Sequence, residues 1–393
     1  MIAEEDRFQL QETGFSCNSD LETDVCITTK DVRIDTQSLH VYISSSRKVT
    51  SQVKGIKSVK PYPKKTDNTA MGRVRPLQIV QVRNSRLIPK CDHTHMVPVP
   101  VVIFSSGGFS DNIFHVISEM IIPLFLTSWH FRSQVQFIIT DYSPLWVEQY
   151  GRVLKRLSAY EVVNADNGGV HCFPGGVIGL KYHQFLGINS TKIPKGYNYD
   201  DFRRFLFDSY DLKVNTLLVN PSKPIVVLIS REGSRMLLNE NEIVNMMVEL
   251  GFEVRIVIPS DMSDLETFSS LVNSCHVLVG VHGAGIVNEV FLPKGALVVE
   301  IIPIGLEWQS TNYYAKPASR MGLKYLKYHV GLGESSLNGS YSPDDPVIID
   351  PSSIYAKGYL VAKAIYLDGQ NLRLNVTNKF RDTMSYALDL LQH

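Results

Sequence analysis

Long apolar runs are missing from this 393-residue chain. No stretch approaches the roughly 20 consecutive apolar residues that span a bilayer as a helix. The opening MIAEEDRFQLQETGFSC is charged and has no apolar segment of the signal-peptide kind. It points either to a cytosolic protein or to a longer one whose N-terminal anchor lies outside this sequence. Net charge is missing too: 39 Lys and Arg balance 39 Asp and Glu. A strongly cationic surface for nucleic acid is therefore disfavoured, and no nucleic-acid partner is expected. Cysteine is scarce, at five residues, in spacings that match no zinc pattern. The dinucleotide fingerprint G-x-G-x-x-G is absent, which removes the feature a nucleotide-dependent oxidoreductase would need.

What is present is an ordinary globular composition, 44% apolar and 20% charged, in a chain long enough for two or three domains. Cys17 and Cys26 bracket CNSDLETDVC, a short polar segment without a core of its own. Either a disulfide staples it or the two thiols are free at the surface. Cys91 and Cys172 can form a second pair, and Cys275 reads as a buried thiol at a helix end. Sequons stand at Asn189, Asn338 and Asn375 in polar, loop-like settings, and these are candidate glycosylation sites.

Residues 1–90 are polar and β-prone, interrupted by the basic KGIKSVKPYPKK, and read as an irregular stem with short strands. From VPVPVVIF onward, β-branched runs alternate with helical patterns through 91–218. A proline-bearing linker, VNPSKP, follows. Across 219–345 the alternation is cleaner: PIVVLIS, EVRIVI, HVLVGV and ALVVEIIP read as strands separated by amphipathic helices. Residues 346–393 form a C-terminal extension ending in a helix. The expected architecture is α/β, two Rossmann-like domains facing a cleft, with ligands beyond the carboxyl ends of the strands.

Three constellations stand at such ends. In GVHGAGIVNEVF, Gly280, Gly283 and Gly285 crowd a turn before a helix. The amides from Ala284 to Ile286 suit a phosphate, with His282 donating from one side. In ISREGSRMLL, Ser230 and Arg231 close a strand and Arg235 follows. Paired guanidiniums can grip a diphosphate, and Glu300 is placed to meet a ribose hydroxyl or a structural partner. In FSSGGFSDNIFHVISEM, Gly108 sits in the loop after a strand and Asp111 or Asn112 caps the helix. His115 and Glu119 then lie one turn apart. A carboxylate that orients a histidine makes a general base, although an ordinary i,i+4 pair has the same spacing.

The segments GGFSDNIFHVISEMIIPLFLT, VHCFPGGVIGLKYHQFL, ISREGSRMLLNENEI, VGVHGAGIVNEVFLPKGALVVEIIP and YYAKPASRMGLKYLKY resemble the plant branch of glycosyltransferase family 61 across roughly residues 90–330. The resemblance implies a GT-B-like fold and metal-independent, inverting transfer of xylose or arabinose. The donor would be a UDP-sugar and the acceptor a xylan chain or xylo-oligosaccharide. It places Ser230, Arg231, Arg235, His282, Gly283, Ala284 and Gly285 on the donor, and Asn112 and His115 at the catalytic centre. It also implies residence in the Golgi lumen through a type II anchor absent from this sequence, gives weight to a disulfide in the stem, and allows a homodimer. Asp111 and Glu119 stand where the family pattern carries glycine and aspartate. A catalytically idle member that binds polysaccharide or a partner enzyme is the alternative they raise. Trp129 and Tyr182 are aromatics available either for stacking on sugar rings or for core packing.

Overall fold

The computed structural model describes residues 4–20, 22–44, 53–82, 85–94, 98–189, 196–217 and 223–392. It divides into two compact units, Met1–Phe202 and Arg203–His393. Most of the expected linker VNPSKP lies outside the described residues.

The first unit carries two six-stranded sheets. In one, the parallel strands Gly176–Ile178, Val101–Ser105, Gln136–Thr140 and Val163–Asn164 lie side by side. The antiparallel pair Phe15–Ser19 and Asp24–Thr28 extends this sheet at the Gly176 edge. The other sheet takes most of its strands from residues 32–82. One core joins the two sheets: Ile103, Ile138 and Ile178 from the first share it with Ile34, Val41 and Ile79 from the second. The expected stem is thus built into the unit. Its alternating apolar residues look weak singly, yet pairing buries every second one.

Both disulfides form. Cys17 and Cys26 face each other across the first hairpin, with Cα atoms 4.0 Å apart, and Cys91 joins Cys172. Cys275 remains a buried free thiol.

The helix Ile113–Phe131 runs through this unit. At 19 residues it is long and apolar enough to cross a bilayer by length and composition, which the count of uninterrupted apolar runs did not anticipate. It is nevertheless 78% buried inside the unit. Residues Val116–Ile121 form a π-turn within it. Pro123 follows, and it has no N–H to return to the carbonyl of Glu119.

The second unit is built on a five-stranded parallel sheet. Its strands in chain order are Ile225–Ile229, Glu253–Val257, Val277–Val281, Leu297–Ile302 and Lys324–His329. In space the second strand lies outside the first and the others follow on the opposite side, a 2-1-3-4-5 order. Val277–Val281 and Leu297–Ile302 are buried along their whole length, as strands covered on both faces must be. The order reverses between Ile225–Ile229 and Val277–Val281. At such a switch point, chain leaves adjacent strand ends in opposite directions and a crevice opens. The C-terminal residues are part of this unit. Phe380, Met384, Ala387 and Leu391 of the final helix Lys379–Gln392 enter the sheet's core, and Leu372 pairs with Leu237.

Candidate functional site

The switch point of the second unit gathers the residues expected at the donor. Ser230 and Arg231 leave the end of one strand, and His282 leaves the end of its neighbour. Gly233 and Arg235 both adopt positive φ, 80° and 53°, so the chain doubles back between the two arginines. Arg235 is pinned there: its amide donates to Gln370 O at 2.8 Å and its Nη1 to His282 O at 2.8 Å. Gly283 makes room for the cations. A Cβ built on it would collide with Arg231 Nη1 and come within 3.4 Å of Arg235 Nη1.

Neither guanidinium has a carboxylate partner among the described residues. Burial pulls the pKa of both down, and for Arg235 the neighbouring charge of Arg231 adds to it, to about 10. Two half-buried cations that repel each other, with the charge of Asp368 acting on Arg235 but no carboxylate paired to either, form a site that a diphosphate would neutralise.

His282 is buried, and its Nδ1 lies 2.6 Å from Glu300 Oε1. The other oxygen of Glu300 accepts from Ser310 Oγ and Tyr325 OH. Both oxygens of this fully buried carboxylate are engaged within the protein, which favours the structural partner considered for Glu300 over the ribose contact. Its work is to orient the imidazole, which leaves Nε2 as the ring nitrogen turned to a ligand.

The helix expected after the turn, Ala284–Phe291, is of the 3-10 kind. Its Ile286 amide donates to Gly283 O at 3.1 Å, so only the Ala284 and Gly285 amides remain for an anion. Ser230 prolongs its strand, its amide donating to Val257 O at 2.8 Å, with its side chain half-buried at the mouth.

A cavity of about 720 Å³ opens beside His282, walled in part by Tyr313 of the quoted YYAKPASR segment and by three aromatics that sequence reading did not reach, Trp308, Tyr355 and Tyr359. Tyr355 and Gln309 are neighbours in that wall, where the Gln309 side chain acts on the Tyr355 hydroxyl. Several wall residues come from 349–367, which no motif marks.

The first unit holds the other expected centre. Asn112 Oδ1 accepts from the Phe114 amide at 3.0 Å, so Asn112 caps the helix that carries His115. His115 Nδ1 lies 2.8 Å from Glu119 Oε1, while its Nε2 meets no partner among the described residues. The imidazole is one-fifth exposed and the carboxylate fully buried. Sequence reading missed two residues that complete the pair, both in the basic segment assigned to the stem. Tyr62 OH donates to Glu119 Oε2 at 2.9 Å, and Lys64 Nζ pairs with Oε1 at 3.2 Å. Burial alone would raise the pKa of Glu119, but His115, Lys64 and Tyr62 outweigh it and hold the carboxyl below its ordinary value. Gly108, at φ 66°, is required because the Tyr62 ring occupies the space of its missing side chain. Asp111 points to solvent, 3.7 Å from Arg73. Tyr182 is buried, and Trp129 packs half-exposed on Phe125.

No cluster of metal-ligating side chains occurs among the described residues. The folded chain is therefore an α/β protein with a cationic, glycine-lined site at a parallel-sheet switch point and a buried-carboxylate histidine in a separate unit. The family model for Glycosyltransferase 61 matches residues 113–299. A rice protein named beta-1,2-xylosyltransferase XAX1 is 39% identical over 94% of this chain and 65% of its own length. The rice alpha-1,3-arabinosyltransferase XAT3 is 38% identical over 95% and 64%. The Arabidopsis thaliana xylan glycosyltransferase MUCI21 is 32% identical over 93% and 78%. The chain belongs to the glycosyltransferase 61 family. It spans just under two thirds of the length of the two rice relatives.

Proposed function

We propose that this chain is an inverting, GT-B-like glycosyltransferase that moves xylose or arabinose from a UDP-sugar onto a xylan chain as a side branch. The relatives named for xylosyl, arabinosyl and xylan transfer support the substrate classes. The observation that carries the donor assignment is the pair of guanidiniums at Gly283 that have no carboxylate partner among the described residues. The diphosphate binds Arg231, Arg235, His282 Nε2 and the Ala284 and Gly285 amides, and the nucleoside enters the aromatic-walled cavity.

An acceptor hydroxyl attacks the anomeric carbon from the face opposite UDP. As that C–O bond forms, the bond to the phosphate oxygen breaks and its electron pair leaves with UDP. The arginines offset the charge that develops there. The hydroxyl proton passes to His115 Nε2. Glu119, held by Tyr62 and Lys64, stabilises the resulting imidazolium through Nδ1.

The two disulfides agree with an oxidising lumen such as the Golgi, where the exposed Asn338 and Asn375 would be glycosylated. Asn189 is half-buried, and its sequon continues beyond the described residues.

The decisive experiment offers UDP-xylose and UDP-arabinose with a xylo-oligosaccharide and reads products by mass spectrometry. Mass increments of one pentose are expected. Binding of UDP without transfer of any pentose to any xylan acceptor would favour the idle, polysaccharide-binding alternative.

A further inference from the structure

A second cavity, about 500 Å³, lies in the first unit and is lined by Trp129, His130, Arg132, Ser133, Arg156 and Tyr197. It sits at the C-terminal end of the helix whose N-terminal end carries His115. Fourteen residues at about 1.5 Å each put roughly 20 Å between them, so this cavity is no part of the proton-transfer centre. None of its lining residues is acidic. The Arg156 guanidinium lies over the Trp129 ring, 5.9 Å from its centre. Arg132 is solvent-exposed, with no carboxylate partner among the described residues. The charge of Arg132 reaches Tyr197, and Asp201, which also acts on Tyr197, lies outside the lining.

The walls are held in place. Phe125 packs against both aromatics, its centre 5.5 Å from Trp129 and 5.8 Å from Tyr197. The Arg132 backbone is fixed in the left-handed region, φ 51°, by its amide donating to Trp129 O at 3.2 Å. Ser133 Oγ donates to Arg156 O at 3.1 Å, tying together the two segments that carry the arginines. An indole and a phenol flanked by two guanidiniums suit a ring with an apolar face and an anionic substituent. The ring lies on the aromatics, and the exposed fork of Arg132 matches a carboxylate, with the charge of Arg156 over Trp129 beside it. The volume falls in the range of small-ligand pockets.

We infer that this pocket binds a carboxylate-bearing sugar residue, a uronate carried on the acceptor polysaccharide away from the site of transfer. The carboxylate and the ring follow from the pocket itself, while the polysaccharide as carrier rests on the proposed function.

Isothermal titration of the full chain would compare a xylo-oligosaccharide bearing one uronate, the same oligosaccharide without it, and inorganic phosphate. The uronate form should bind about 5-fold more tightly than the neutral form, equivalent to about 1 kcal/mol for partly exposed ion pairs. An Arg132→Gln/Arg156→Gln double variant should erase that difference with UDP affinity unchanged. In transfer assays the uronate acceptor should show the lower KM at equal kcat. Equal affinity for acidic and neutral oligosaccharides would overturn the inference, and so would displacement of the uronate form by phosphate at matched concentration. A protein that binds the uronate form through these arginines yet transfers no sugar would refute the proposed function and leave this site standing.

Discussion

His282 Nδ1 lies 2.6 Å from Glu300 Oε1, joining the end of one strand of the second unit to its neighbour. The same relation recurs in the first unit, where His115 Nδ1 lies 2.8 Å from Glu119 Oε1. In both pairs the carboxylate is fully buried and also accepts from a tyrosine hydroxyl, Tyr325 in one and Tyr62 in the other. Each carboxylate fixes a ring so that Nε2 faces outward.

Glu300→Gln keeps the size of the side chain and removes its charge. The imidazole then loses a charge-assisted bond of about 1.5–3 kcal/mol and its fixed orientation. UDP affinity should fall by about one order of magnitude in calorimetry, with the fold retained by circular dichroism. Unchanged affinity would show that His282 does not contact the diphosphate.

Arg231→Ala should weaken UDP binding about 10–100-fold and stabilise the ligand-free protein. Burial and the charge of Arg231 bring the pKa of Arg235 down to about 10, so at neutral pH the folded state holds a cation it disfavours. That penalty is fully present below about pH 10 and fades only as pH rises from there to the ordinary guanidinium value, where the unfolded chain loses its proton as well. Removing Arg231 relieves part of it. Each 1 kcal/mol regained should raise the melting temperature by roughly 2–4 °C. A thermal shift with and without UDP reads both effects, and a less stable apo variant would contradict the repulsion argument.

His115→Ala should lower kcat by about 10²–10⁴-fold while leaving UDP affinity unchanged, as loss of a general base requires. Glu119→Gln should lower it less, because the ring remains but its imidazolium is no longer stabilised. A dead Glu119→Gln beside a partly active His115→Ala would exchange the two roles.

Lys64→Met tests the segment assigned to the stem. The Glu119 carboxyl is held below its ordinary pKa, so the pair's contribution is present above the unfolded value and lost as pH falls through the folded one. Removing the Lys64 charge makes protonation of the pair easier. The acid limb of the kcat/KM profile should therefore move to higher pH. A profile that falls uniformly without shifting would limit Lys64 to a packing role.

Activity should survive EDTA, since the guanidiniums supply the positive charge a metal would otherwise bring to the leaving group. Loss of turnover restored by manganese would assign that charge to a metal ion.

Much of the parallel sheet in the second unit, and the pairing of His115 with Glu119, can be read from local pattern. Buried strands are continuous β-branched runs, turns carry glycine, and a spacing of four residues puts two side chains on one helix face. These signals are short-range, so sequence carries them directly. Tertiary structure alone decided the rest. Glu300 lies against His282 with its second oxygen taken by Ser310 and Tyr325. Tyr62 and Lys64 reach Glu119 across more than fifty residues of chain, from a segment whose strands have no apolar face until they pair. The cavity beside His282 borrows its wall from 349–367. Contacts between residues so far apart depend on how strands order themselves in a sheet, and no local periodicity records that order.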